Sequence, residues 1–189
     1  MMPRMNGYKL CKTIKEDINI SHIPVILLTA RDDRQSQISG YKNGADGYLS
    51  KPFEVEMLME LIRNRLKNRE YTKKRYLNAG LIPTPEESTI SLTDETFLIK
   101  LNSIIQENIE NSNLGIQFIC QEVGLGRSSL YNKLKALTGM GANEYISKLR
   151  IEKAITLISG TDMPFSEIAE KTGFTTPSYF STAFKQYTG

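Results

Sequence analysis

Cysteine and long apolar runs are both scarce in this sequence. Its 189 residues include two cysteines, Cys11 and Cys120, which lie far apart and lack the spacing of metal ligands. This argues against a disulfide-rich scaffold or a zinc module and fits a reducing, cytoplasmic location. The longest apolar run, residues 23–30, is far shorter than the roughly 20 residues that a membrane-spanning helix needs. No membrane contact is expected of this segment.

Histidine is almost absent. The only one, His22, precedes an apolar run and lacks the helix-bundle context of a phosphotransfer histidine. With one histidine and no convergent pair of acids, no Ser-His-Asp, Cys-His or two-carboxylate set can be assembled. The sequence therefore predicts a protein that is not an enzyme, with no catalytic residue, no metal ligand and no cofactor.

Charge of either sign is not in large excess. There are 24 Lys and Arg against 21 Asp and Glu, a formal net charge of +3, and 40% of the residues are hydrophobic. This is an ordinary globular composition that permits nucleic-acid binding without demanding it. The length accommodates one large domain or two small ones.

Short apolar runs alternate with amphipathic stretches up to about residue 70. Residues 24–29 are apolar and rich in β-branched side chains, as in a parallel strand covered on both faces. A turn at 44–47 leads into a second short run at 48–50, and apolar residues recur at helical spacing from Val55. The pattern predicts an α/β fold.

A hydroxyl and an ammonium group stand at the ends of the two predicted strands. Thr29 ends the first and Lys51 the second. The carboxyl ends of parallel strands form the ligand crevice of such sheets, and both groups can donate to phosphoryl oxygens. Pro52 allows a cis peptide bond at Lys51. Spacing alone leaves the alternative open, a surface lysine and a threonine that caps a helix.

The alternating pattern is lost between residues 71 and 92. Residues 82–88 are polar and contain two prolines, and residues 73–75 form a small basic cluster, most simply a solvated linker face. Thr93 is the expected N-cap of a helix with an apolar stripe. The predicted organisation is a domain over 1–70, a linker over 71–92 and an all-α domain over 93–189.

An internal repeat occupies the second half. Residues 119–125 match 168–174 and residues 128–139 match 178–189, with offsets of 49 and 50 residues. Each copy reads as a helix, a glycine turn and a second helix, and an amphipathic segment, 143–159, joins them. The extra residue in the second copy falls in the turn.

Each copy has the anatomy of a helix-turn-helix unit. A small residue, Cys120 or Ala169, allows close helix approach, and a glycine, Gly124 or Gly173, supplies the turn conformation. The apolar anchors of the second helices are Leu130, Leu134, Phe180 and Phe184. The opposite faces carry polar side chains of the kind that read bases and hold phosphates. One copy could be a plain helical hairpin with a solvated face; two matched copies favour DNA reading.

The repeat resembles the DNA-binding domain of the AraC/XylS family of bacterial transcription regulators. The resemblance covers residues 114–189 and rests on GRSSLYNKLKALTG at 126–139 and on GF, SYFS, FK and TG within 173–189. It implies two units in successive major grooves, joined by a helix near 149–158. The implied base readers are Ser128, Tyr131, Asn132, Ser178 and Thr182. The implied phosphate contacts are Arg127, Lys135, Lys148, Arg150 and Lys185. The family often carries arginine at the position of Thr182, so the first unit is the expected stronger reader.

The first half resembles the second half of a response-regulator receiver domain. The resemblance rests on MPRMNG at 2–7, PVILLTA at 24–30 and GADGYLSKPF at 44–53. It implies that Thr29 and Lys51 bind a phosphoryl group and that Tyr48 is the aromatic switch. The family's phosphoacceptor Asp and its acidic Mg²⁺ pair would precede Met1. The expected fold is therefore a truncated, flavodoxin-like receiver, followed by the all-α double helix-turn-helix domain.

The combination resembles the C-terminal end of hybrid two-component regulators of Bacteroidetes. It implies a sequence-specific transcription regulator in a phosphorelay that binds double-stranded DNA, with a histidine kinase or a second receiver as further partners. The alternative is a protein-interaction module that dimerises or docks to a histidine kinase through the receiver remnant. Duplex DNA in a gel shift, with and without added salt, separates the two.

Overall fold

The computed structural model describes residues 5–79 and 91–189, which fold into two compact units. The first unit runs to Phe97 and includes residues 136–138; the second comprises residues 98–135 and 139–189. The elements are α1 (Gly7–Glu16), β1 (Ile26–Thr29), α2 (Arg34–Lys42), β2 (Gly47–Ser50), α3 (Val55–Ala79), α4 (Leu92–Glu107), α5 (Ile116–Val123), α6 (Arg127–Thr138), α7 (Ala142–Gly160), α8 (Phe165–Lys171) and α9 (Pro177–Thr188). Residues 2–4 of the receiver-like motif and the predicted linker residues 82–88 lie outside the described residues.

The first unit contains a two-stranded parallel sheet. β1 pairs with β2 in a register that sets Ile26 opposite Gly47 and Thr29 opposite Ser50. Asp33 is the N-cap of the crossover helix α2. Its carboxylate accepts from the amide of Ser36, one of the amides at the start of the helix that have no partner within it. The predicted α/β arrangement is confirmed for this unit, although β1 begins two residues later than the apolar run.

A partly buried ion pair holds the segments that lead into both strands. The Lys15 ammonium lies 2.7 Å from the carboxylate of Asp46 and donates to the carbonyl of Ile23 at 2.8 Å. The same carboxylate accepts from the amide of Val25 at 2.7 Å. Because these bonds join the residues before β1 to those before β2, they keep the two strand ends in register.

Two helix boundaries differ from the sequence expectation. α3 continues to Ala79, so residues 71–79 of the predicted linker are helical. The segment is rich in strong helix formers and carries the i,i+3 ion pair between Glu70 and Lys73, which support a helix after the apolar stripe has ended. Thr93 is predicted as the N-cap, but α4 begins earlier, at Leu92, and it is the Ser91 hydroxyl that accepts from the amide of Asp94.

Apart from residues 136–138, the second compact unit contains two successive pairs of helices, each separated by a turn, and α7 lies between the pairs. α5 and α6 form the first, and α8 and α9 form the second. Gly124 and Gly173 both have left-handed backbone conformations, with φ of 73° and 74°. α7 confirms the predicted connecting helix over 143–159 to within one residue at each end.

The predicted anchors of both second helices are buried to different degrees. Leu130 and Leu134 of α6 are 0% and 1% exposed, and Phe180 of α9 is 0% exposed, whereas Phe184 is half-buried. Phe180 packs with Phe174 at a ring-centre distance of 5.1 Å, in a cluster that includes Ile151 of α7. Each second helix is therefore fixed by its apolar face, and its polar face is left outside.

Candidate nucleic-acid interface and phosphoryl crevice

α6 gathers one set of polar side chains on its exposed face. The five residues predicted to face DNA in the first helix-turn-helix unit are all exposed. They are Arg127, Ser128, Tyr131, Asn132 and Lys135. Their spacing of one, four, five and eight residues from the first keeps them on one side of a helix. The structure thus brings together two cations, a phenol, an amide and a hydroxyl. We call this set the α6 face.

Gln117 is a member of this region that sequence reasoning missed. The guanidinium of Arg127 donates to its side-chain carbonyl, which joins the start of α6 to the first turn of α5. Both side chains are exposed. The contact ties Arg127, the first residue of the α6 face, to α5. No local signal predicts it, because the two residues are ten positions apart and meet only through the turn at Gly124.

α9 presents a weaker set. Ser178, Thr182 and Lys185 are exposed on the side opposite Phe180, and we call them the α9 face. The Thr182 hydroxyl donates to the carbonyl of Ser178 at 3.0 Å, so its hydrogen is used within the helix. The α9 face thus offers a ligand one cation and two hydroxyl groups, whereas the α6 face offers two cations, an amide and two hydroxyl groups.

Lys148 is buried and Arg150 is half-buried, so neither belongs to an exposed face, and their contact with phosphates stays a prediction. Lys148 is 6% exposed, and its ammonium lies 3.1 Å from the carboxylate of Glu152 one turn later. Arg150 is half-buried and donates to the carbonyl of Asn111 at 2.7 Å. Burial lowers the pKa of the Arg150 guanidinium. Lys148 thus pairs within α7, and Arg150 joins α7 to the segment before α5.

Two tyrosine hydroxyls attach α7 to its neighbours. Tyr145 donates to the side-chain carbonyl of Asn102 on α4 at 2.7 Å, and burial raises the pKa of Tyr145 to about 12. Tyr187 of α9 donates to the carboxylate of Glu152 at 3.1 Å; burial, followed by the negative charge of Glu152, raises the pKa of Tyr187 to about 12. Both hydroxyls stay protonated at neutral pH and keep their donor role.

The strand ends of the first unit line one open crevice. Thr29 and Lys51 both line it, as predicted, together with Tyr8 and Arg31, which sequence reasoning missed. Lys51 is exposed, the Lys51–Pro52 peptide bond is cis, and the Thr29 hydroxyl accepts from the amide of Arg31 at 3.2 Å. The crevice therefore offers an ammonium, a guanidinium and a hydroxyl, all suited to an anion.

Tyr48 lies beneath this edge rather than in the crevice lining. It is 7% exposed, and its hydroxyl donates to the carbonyl of Arg31 at 2.7 Å. Its ring packs so closely on α2 that a Cβ added at Gly40 would lie 2.9 Å from a ring carbon. Burial is the main cause that raises the pKa of Tyr48 to about 12.

Two acidic residues of the receiver-like part, Asp33 and Asp46, have partners within the fold. Asp33 caps α2, and hydrogen bonds from Ser36 lower the pKa of its carboxyl. Asp46 holds Lys15. Within residues 5–79 and 91–189, no three His, Cys, Asp or Glu side chains are grouped to hold a metal ion. None of the helices described for this chain combines the length and apolar character of a membrane span.

Comparison with known proteins identifies both parts of the chain. Residues 1–63 match the response regulator receiver domain, and residues 119–189 match a helix-turn-helix domain. The chain joins a receiver domain to a helix-turn-helix domain. This is the domain composition of DNA-binding response regulators in two-component systems.

The similar proteins include a histidine kinase, a probable transcriptional regulator and a domain of a response regulator. Histidine kinase P4 of Formosa agariphila is 41% identical over 98% of this chain, which spans 14% of that protein's length. The probable transcriptional regulator ycf29 of Pyropia yezoensis is 28% identical over 76% of this chain and 70% of its own. The C-terminal domain of AraT, a response regulator from Geobacillus stearothermophilus, is 31% identical with a TM-score of 0.46, covering 49% of this chain and 77% of that one.

Proposed function

We propose that this chain is a sequence-specific DNA-binding transcription regulator of a two-component phosphorelay. Its two helix-turn-helix units enter successive major grooves in the manner of the AraC/XylS family. The observation that carries the proposal is the pairing of the two units: each second helix is anchored by buried apolar residues and presents an exposed polar face. Such a function is binding rather than catalysis, and it requires a cytoplasmic location with access to the chromosome.

The α6 face is the main base reader in this proposal. The Asn132 amide can donate and accept at once, which suits the adjacent acceptor and donor on an adenine edge in the major groove. Ser128 and Tyr131 flank it and supply further hydroxyls. Arg127 and Lys135 stand at the two ends of the face and contact phosphates, which fixes the register of the helix on the duplex.

The α9 face mainly positions the protein on the DNA and contributes less to the recognition of base sequence. Ser178 and Thr182 offer hydroxyl groups, of which Thr182 already donates to its own helix. Lys185 supplies the one cation of the α9 face and contacts a phosphate. Since bidentate base contacts need paired donors and acceptors, this face discriminates among bases less than the α6 face.

The crevice of the first unit is proposed to sense a phosphoryl group. Thr29 and Lys51 donate to its oxygens, and a shift of Tyr48 from the carbonyl of Arg31 would report its arrival. Thr29 and Lys51 supply no anionic oxygen, and the nearby Asp33 is committed to α2. In this proposal, Thr29 and Lys51 bind the phosphoryl group and do not accept it covalently.

A second function, docking of the receiver to another protein, has one observation in its favour. α3 carries apolar side chains that are 43–67% exposed, namely Val55, Met57, Met59 and Leu66. Exposed apolar side chains grouped on one element are typical of interaction sites. A histidine kinase or the receiver of a second copy is the proposed partner, and this role is compatible with DNA binding by the second unit.

Fluorescence anisotropy with a duplex selected from a random pool tests the proposal. Asn132→Ala should relax the base preference, with a loss of about 1–3 kcal/mol on the selected duplex and little change on random DNA. Gln106→Ala is the matched control, because it removes an exposed amide from α4. Equal behaviour of the two variants would contradict base reading by α6.

A further inference from the structure

Arg150 lies where the second helix-turn-helix unit meets the segment between α4 and α5. Its guanidinium donates to the carbonyl of Asn111 at 2.7 Å and lies 6.0 Å from the centre of the Phe174 ring. Asn111 belongs to the segment that leads into α5, and Phe174 follows the turn between α8 and α9. One side chain from the connecting helix α7 thus links the segment before α5 to the turn between α8 and α9.

The backbone of the second turn approaches the same place very closely. A Cβ added at Gly173 would lie 2.1 Å from the carbonyl oxygen of Ile109 and 2.9 Å from a guanidinium nitrogen of Arg150. A Cβ at Gly124, the matching position of the first unit, meets no atom within 4 Å. The close junction is therefore a property of the second unit and is not a requirement of the turn itself.

The contacts continue from this junction to the α9 face. Phe174, against which Arg150 lies, packs on the fully buried Phe180 with a ring-centre distance of 5.1 Å. Phe180 is the anchor of α9, so a displacement of the turn at Gly173 would move the α9 face. The path from Phe180 and Phe174 through Arg150 to Asn111 links α9 to the segment that leads into α5, where the Asn111 carbonyl also accepts from the amide of Leu114.

Arginine at position 150 leaves a buried hydrogen-bond donor unpaired within the part of the chain that the structure describes, which suggests that the direction of its other contacts matters. The Arg150 Nε is buried without a hydrogen-bond partner among the described residues. An unbranched apolar side chain of similar length would fill the site without an unpaired buried donor. Arginine differs from it by a directional bond to the Asn111 carbonyl and by a charge that lies 6.0 Å from the centre of the Phe174 ring.

We propose that Arg150 is a positioning residue that fixes the orientation of α9 relative to α6, and with it the spacing of the two DNA segments that the chain accepts. The inference rests on the proposed function, because both units must bind the same duplex. Asn111 and Phe174 are its two points of attachment. Without the bond to Asn111, each unit would still fold, but the second could rotate about its remaining apolar contacts.

The test compares the full chain with Arg150→Met, which keeps the packing volume and removes the bond. Lys153→Met is the matched control, because it removes a cation one turn further along α7 whose ammonium is 3.4 Å from the carboxylate of Glu110. Residual dipolar couplings of the α6 and α9 amides report the orientation of the two helices in the absence of DNA. The wild type and the control should fit one alignment tensor, and Arg150→Met should need two.

The second measurement is binding to duplexes selected by the wild type and then altered between the two protected segments. One inserted base pair separates them by about 3.4 Å more and rotates one by about 34°. The wild type and Lys153→Met should lose about tenfold in affinity on this insertion, and Arg150→Met no more than about threefold. A uniform loss at every spacing, with one alignment tensor, would overturn the positioning role. If the wild type itself ignores spacing, the proposed two-groove function fails, while the couplings still decide what Arg150 does.

Discussion

Replacement of Gly173 by alanine should destabilise the helix-turn-helix domain far more than the same replacement at Gly124. Both glycines have a left-handed backbone, with φ of 74° and 73°, so the conformational penalty of roughly 1–2 kcal/mol is shared. The two sites differ in what the new methyl group meets. At Gly124 it meets no atom within 4 Å, but at Gly173 it would lie 2.1 Å from the Ile109 carbonyl oxygen, where 3.4–4 Å is an ordinary contact.

The backbone around Gly173 must therefore move to admit the methyl group. Overpacking of this kind costs about 1–3 kcal/mol beyond the conformational penalty, and more where a backbone atom is the obstacle. For a domain of this size, each 1 kcal/mol lowers Tm by about 4–8 °C. Gly173→Ala should thus unfold at least about 4–8 °C below Gly124→Ala.

Thermal and urea unfolding of the full chain, followed by far-ultraviolet circular dichroism, measures this difference. The m-values of the two variants should agree, which would show that the folded and unfolded states expose the same surface as in the wild type. Equal Tm losses at the two positions would refute the reasoning, because they would leave only the shared penalty. A loss confined to Gly124→Ala would refute it too.

Three further predictions concern charge and phosphate. Lys135→Ala should weaken binding to all duplexes and lower the slope of log K against log salt by about 1, because one phosphate contact is lost. The control Lys100→Ala, on α4, should change neither the affinity nor the slope. An unchanged slope in Lys135→Ala would remove Lys135 from the interface. Acetyl phosphate with Mg²⁺ should leave the chain without a hydroxylamine-sensitive acyl phosphate, and mass spectrometric detection of an aspartyl phosphate would contradict the assignment of the crevice as a sensor only. Hydrogen bonds from Ser36 lower the pKa of Asp33. The stabilisation from this N-cap is therefore present above the unfolded pKa of the carboxyl and is lost as pH falls through the lower folded pKa. Ser36→Ala should raise the Asp33 pKa in a carboxyl NMR titration, and an unchanged pKa would contradict that cause.

The features that sequence predicted well are those that depend on neighbouring residues. A glycine followed by an apolar anchor predicts the turn at Gly124 and the burial of Leu130, because turn conformation and helical periodicity are both local properties. The duplicate at Gly173 and Phe180 repeats the same local signals. For the same reason the exposed side of α6 could be named from spacing alone.

The features that sequence missed depend on distant contacts. The resemblance implies phosphate contacts for Lys148 and Arg150, but a position in a motif does not show whether a cation faces solvent or a neighbouring element. Their partners differ: Glu152 lies one turn away, but the carbonyl of Asn111 is 39 residues away. The continuation of α3 was missed because apolar periodicity reports burial, and a helix can continue on propensity and charge pairs after burial has ended.

Hydroxyl-radical footprinting of the full chain on a duplex selected from a random pool tests the central claim most directly. Two helix-turn-helix units on one rigid connecting helix should protect two segments on one face of the DNA, about one helical turn or roughly 34 Å apart. Asn132→Ala should weaken the protection of one segment before the other. A single protected segment, or protection that is uniform along random DNA, would contradict the account.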